Sequence, residues 1–127
     1  MRKTLLAAAL LSLIGHPALA FDVRFEWGGI PSCTTGVPNA VPSPDFKLTD
    51  VPEGTTTLKF NLQDMNVGYN HGGGSVPYHG EIMIASGAFT YKSPCPPDGP
   101  HMYEWTVTAF DSKEKILATA TTERQYP

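Results

Sequence analysis

The sequence predicts an all-β chain, a Greek-key β-sandwich, and three observations carry that prediction. Several stretches of five to ten residues alternate apolar and polar side chains with period two. Turn-forming residues separate them. No stretch of ten or more residues shows a helical period with caps, and 12 glycines and 12 prolines interrupt any that could form. Short strands between turn signals suit a sandwich or barrel rather than βαβ units.

Residues 1–20, "MRKTLLAAALLSLIGHPALA", carry Arg2 and Lys3, an apolar run from Leu5 to Ile14 and the small-residue ending Ala18-Leu19-Ala20. This is the pattern of a secretory signal peptide cut before Phe21, and the run is too short for the ~20 apolar residues of a membrane span. A single domain over 21–127 remains, in the periplasm or secreted. Without residues 1–20 it has seven basic against twelve acidic residues, a formal charge of −5. Nucleic acids and anionic membrane surfaces need a basic footprint, so both are excluded as bulk partners.

Phe21 to Trp27 alternates and stops at Gly28-Gly29, giving a half-buried strand. Ile30 to Pro44 is rich in Pro, Gly, Ser, Thr and Asn and reads as an ordered loop holding Cys33. Two cysteines in an exported chain, Cys33 and Cys95, imply an intramolecular disulfide. Free thiols or a metal pair are the alternative, but the Cys-x-x-Cys spacing of a zinc site is missing. "FKLTDVPEGTTTLKFNLQD" gives a turn at Asp50 to Gly54, then a strand with Leu58, Phe60 and Leu62 on one face. Met65 to Pro77, with Gly72-Gly73-Gly74, reads as a long polar loop. Strands over Tyr78–Ala85, Ala88–Tyr91, His101–Phe110 and Lys115–Thr121 complete the set; in His101–Phe110, Tyr103, Trp105, Val107 and Ala109 share a face.

"SPDFKLTDVPEGTTTLKFNLQD", a central histidine opening an apolar strand, and "CPPDGPHMYEWTVTAFD" together resemble the phosphatidylethanolamine-binding protein family, in particular its small bacterial Raf-kinase-inhibitor-like branch. The resemblance covers most of Pro42 to Asp111. It implies a β-sandwich with a small pocket at one end for phosphate or a phospholipid headgroup. Asp64 falls at the place of the family's first pocket aspartate, although "QDMNVGYN" stands where an Asp-Pro-Asp-x-Pro run is usual. His79 takes the place of the strand-opening histidine, followed by Gly80 where a tryptophan is usual. Gly99, Pro100 and His101 match Gly-x-His, with Met102 in place of an arginine. That arginine could lock the aspartate loop through a bidentate pair, whereas methionine has no donor.

On this reading His79 and His101 meet at one end of the sandwich with Asp64 beside them, and Tyr78, Tyr103 and the Pro94 to Pro97 loop form walls. Imidazole N–H groups donate to phosphate or carboxylate oxygens. Asp64 accepts an N–H from one ring and fixes its tautomer. His71, beside three glycines, reads as a solvated loop residue. The expected function is non-enzymatic, cofactor-free binding of a small anion or phospholipid headgroup. The alternative is a zinc or copper site of His71, His79 and His101, with Asp64 or Met102 added. Hydrolysis has no supporting motif: there is no Gly-x-Ser-x-Gly, His-Glu-x-x-His or Walker loop. The sequence identifies no protein partner.

Overall fold

A computed structural model describes residues 20–127. The signal-peptide reading falls on residues 1–20 and so lies, but for Ala20, outside the described part. The described residues form nine strands: β1 (Asp22–Phe25), β2 (Ala40–Pro42), β3 (Phe46–Thr49), β4 (Thr57–Asp64), β5 (Asn70–Pro77), β6 (Met83–Ile84), β7 (Thr90–Lys92), β8 (His101–Phe110) and β9 (Ile116–Tyr126). Among the described residues there is no helix. The all-β sandwich expected from the sequence is the architecture found.

The strands form antiparallel sheets in the orders β1-β3-β6, β2-β7 and β5-β4-β8-β9. Between β5 and β8 the chain leaves the large sheet, supplies β6 and β7 to the other two, and returns beside β4. Alternation along β4 and β8 turns Leu58, Phe60, Leu62, Tyr103, Trp105, Val107 and Ala109 inward, all buried. They meet Val23, Phe25, Phe46 and Leu48 of the small sheet. Phe46 is the pivot, its ring centroid 4.6 Å from Phe60 and 5.2 Å edge-on from Trp105. Full burial of such side chains stabilises by about 1.5–3 kcal/mol each.

Two elements depart from the sequence expectation. The glycine run does not lie in a loop: Asn70 to Pro77 is a full strand, β5, paired with β4. A Cβ on Gly73 would lie 1.9 Å from the Phe60 carbonyl oxygen, and one on Gly74 2.6 Å from the Phe89 Cβ. Glycine is there because backbone and core come too close for any side chain. Conversely, the strand expected over Tyr78–Ala85 shrinks to Met83–Ile84. The Tyr78 hydroxyl donates to the Glu81 carbonyl at 3.1 Å, the His79 N–H donates to Glu81 Oε2 at 2.7 Å, and Gly80 at φ +95° closes the turn.

Candidate functional site

The period-two rule that builds the core also builds a polar cluster at its end. Asp64 is the last residue of β4, opposite Tyr103, and continues the inward row of Leu58, Phe60 and Leu62. His101, first in β8, lies on the same face as Tyr103, diagonal to Asp64. The Asp64 carboxylate Oδ2 accepts from His101 Nδ1 at 2.6 Å, and Oδ1 accepts the N–H groups of Asn66 at 2.9 Å and Val67 at 3.3 Å. Burial alone would raise the Asp64 pKa. Hydrogen bonds from His101, Asn66 and Val67 outweigh it and leave the pKa below the ordinary aspartate value. Asp64 is therefore a buried anion at neutral pH.

The second histidine at this end is His71. Between Gln63↔Asn70 and Leu62↔Gly72 the β4–β5 register slips, and His71 is the extra residue of the resulting bulge. The bulge aims its side chain inward, where it is 3 % exposed. Its Nδ1 lies 2.8 Å from the Lys92 carbonyl oxygen. A carbonyl can only accept, so Nδ1 carries the proton and the neutral ring presents a lone pair at Nε2. Burial lowers the His71 pKa below the ordinary imidazole value, so the ring is neutral at pH 7.

Tyr103 joins the two imidazoles. His101 stacks on its ring at 6.3 Å and His71 meets it edge-on at 5.4 Å. Burial, and the Asp64 carboxylate beside it, raise the Tyr103 phenol far above its usual pKa and keep its hydroxyl as a donor. Asp64, His71, His101 and Tyr103 line a cavity of about 400 Å³ together with Val67, Tyr69, Gly36, Pro38 and the Cys95 to Asp98 loop. A cation stands at its edge, Lys92 Nζ lying 3.2 Å from the Tyr69 hydroxyl.

The far wall is held by the Cys33–Cys95 disulfide, which is formed. It is reinforced where the Gly36 N–H donates to the Cys95 carbonyl at 3.0 Å and the Thr35 N–H to Cys95 Sγ at 3.2 Å. Met102 does not leave the Asp64 loop unlocked. Its carbonyl accepts the Met65 N–H at 2.8 Å and its N–H donates to Asn66 Oδ1 at 2.8 Å, so backbone bonds do the locking and the thioether faces outward.

The structure thus brings together Asp64, His101 and Tyr103, and separates Tyr78 and His79 from them. Both follow Pro77, at the end of β5 that pairs with Thr57, the end of β4 remote from Asp64. Seven residues of extended chain, roughly 23 Å, separate the ends of β5. The expected meeting of His79 with His101 does not occur, and His71 stands where His79 was expected. His79 is exposed. The same separation disperses the zinc or copper set of His71, His79 and His101, and among the described residues no cluster of three or more His, Cys, Asp or Glu side chains could hold a metal. Sequence reasoning missed His71 because glycines hid the strand that carries it; the useful signal was that glycine inside a strand marks close approach and bulges.

No family model matches the chain, and no curated protein matches it. Solved structures do. The putative phosphatidylethanolamine-binding protein homologue CT736 of Chlamydia trachomatis superposes with a TM-score of 0.60 at 18% identity, covering 85% of this chain and 97% of that one. E. coli YbcL, described as a new member of the mammalian phosphatidylethanolamine-binding protein family, gives 0.60 at 19% identity, covering 84% and 97%. The chain has the phosphatidylethanolamine-binding protein fold.

Proposed function

We propose that the protein is an exported, non-catalytic binding protein that holds a small oxyanion, a phosphate or a phospholipid headgroup, between His71 and His101. One observation carries this reading: two imidazoles on one tyrosine ring each have Nδ1 engaged inside the protein, which leaves both Nε2 atoms for the cavity. His101, its Nδ1 held by the Asp64 carboxylate, turns Nε2 toward the ligand. His71 is neutral and accepts at Nε2. Two ring nitrogens on one small cavity fit a protonated oxyanion, whose O–H points to His71 Nε2. The Tyr103 hydroxyl and Lys92 add a further donor and a nearby positive charge. The disulfide suits an oxidising compartment, and among the described residues no helix is long and apolar enough to cross a membrane.

Calorimetric titration with inorganic phosphate and with phosphoethanolamine tests the reading. His101→Gln and His71→Gln each weaken binding about tenfold, the worth of one hydrogen bond. His79→Ala leaves it unchanged. Equal loss in His79→Ala, or no saturable binding by the unmodified protein, contradicts the assignment. A preference for phosphoethanolamine over phosphate assigns a headgroup, and equal affinity assigns the free anion.

A further inference from the structure

The Lys92 carbonyl fixes the proton of His71. It lies 2.8 Å from Nδ1 and can only accept, so Nδ1 is the donor and Nε2 carries a lone pair. Burial opposes a second proton on the ring. Among the described residues, the fully buried side-chain nitrogen and oxygen atoms without a partner are the Tyr91 hydroxyl and Trp105 Nε1. His71 Nε2 is not one of them, and the ring makes its hydrogen bond through Nδ1, so Nε2 opens on the cavity that His71 lines. A ligand here must bring a hydrogen-bond donor. The charges around the cavity point the same way. Asp64 is an anion inside it, Asp98 adds an exposed carboxylate to the lining, and the Lys92 ammonium stands at the edge beside Tyr69. Two carboxylates against one ammonium disfavour a dianion.

We infer that the site selects tetrahedral oxyanions that keep an O–H, dihydrogen phosphate or the monoanion of a phosphomonoester, and rejects phosphodiesters and sulfate. This rests on the oxyanion reading above and narrows it. A phosphomonoester loses its last proton only near pH 6, at about which it still offers His71 an O–H. A phosphodiester has one ionised oxygen and no O–H, and sulfate is fully ionised. Either would set an oxygen lone pair against that of Nε2 and leave a buried acceptor without its donor, at a loss of about tenfold or more in affinity. His101 does not supply this discrimination, because an imidazole Nε2 accepts an O–H when the ring is neutral and donates to O⁻ when it is charged. Inorganic phosphate fits, and so does a headgroup phosphate released from its lipid. The diester of an intact phospholipid does not.

Calorimetric titration at about pH 6 and constant ionic strength, with inorganic phosphate, phosphoethanolamine, dimethyl phosphate and sulfate, tests this. Dimethyl phosphate is smaller than phosphoethanolamine and carries the single charge of dihydrogen phosphate, while sulfate has the size and shape of phosphate. Bulk therefore does not explain a loss common to both. Phosphate and phosphoethanolamine bind with saturation, and dimethyl phosphate and sulfate bind at least about tenfold more weakly than phosphate. Tighter binding of phosphoethanolamine than of phosphate marks a released headgroup as the source, and equal or weaker binding marks the free anion. In His71→Gln, whose amide can turn either an N–H or an oxygen to the ligand, the ratio of phosphate to dimethyl phosphate affinity falls toward one. Dimethyl phosphate or sulfate binding as tightly as phosphate overturns the inference and leaves the oxyanion site standing. So does an unchanged ratio in folded His71→Gln. Should that variant fail to fold, the four ligands on the unmodified protein decide by themselves. No saturable binding by any of the four removes both the inference and the reading beneath it.

Discussion

Replacing Asp64 by asparagine removes one charge and nearly no volume, so its effect isolates the electrostatics of the site. In the native protein Oδ2 accepts from His101 at 2.6 Å while Oδ1 holds the Asn66 and Val67 N–H groups. Asparagine can keep the second set through its one oxygen. It then turns an NH₂ toward His101 Nδ1, and the imidazole must move its proton to Nε2 to avoid two facing donors. A charge-assisted bond of about 1.5–3 kcal/mol becomes a neutral one of about 1 kcal/mol, so Asp64→Asn should cost about 1–2 kcal/mol at pH 7. For a domain of this size that is a fall in Tm of roughly 5–10 °C. The pH dependence carries the sharper test. Because the folded pKa of Asp64 lies below the unfolded value of 3.8, its contribution is complete above pH 3.8 and is lost as pH falls through the folded value. Urea denaturation of both proteins across this range should show the gap at neutral pH and its closure in acid. A gap of unchanged size on both sides would falsify the ion-pair account, as would no gap at pH 7.

Four further outcomes follow from the same geometry. His71, held neutral by burial, contributes stability that is present above pH 6.5 and is lost as pH drops below it toward the folded value; His71→Gln should flatten the stability profile in that window, and an unchanged slope by chemical denaturation would place the titration elsewhere. Replacing both Cys33 and Cys95 by serine opens a 62-residue separation and should lower stability by about 4 kcal/mol in the chain-entropy model, with weakened phosphate binding because the far wall of the cavity is released. Gly73→Ala places a methyl 1.9 Å from the Phe60 carbonyl oxygen and should cost at least about 3 kcal/mol or prevent folding. Gly29→Ala, with open space around it and an ordinary φ, should be tolerated within about 0.5 kcal/mol in the same melting assay.

The parts of the fold legible in the sequence are those where packing and period agree. In β4 and β8 every second residue is buried, so Leu58, Phe60, Leu62, Tyr103, Trp105 and Val107 declare both the strands and the inward face, and His101 to Phe110 matches the observed strand end to end. Asp64 and His101 are legible for the same reason, since they extend those inward rows by one step. β5 is illegible by the same rule. Its glycines supply no side chains to alternate, because Phe60 and Phe89 occupy the space, and its bulge shifts the parity that would have turned His71 inward. His79 looked like a strand opener only because an apolar run follows it; the Glu81 contacts make a turn there instead. Burial of His71 is a tertiary fact, fixed by the Lys92 carbonyl 21 residues away.

In the proposed site His71 and His101 face one ligand. Long-range ¹H–¹⁵N correlation spectra of the histidine rings, recorded while inorganic phosphate is added, read this directly. If both rings hold the anion, Nε2 of His71 and of His101 shift together along one saturating curve, both Nδ1 atoms stay in their present bonds, and the His79 ring remains still. Saturating shifts at His79, or a response at only one of the two buried rings, would contradict it.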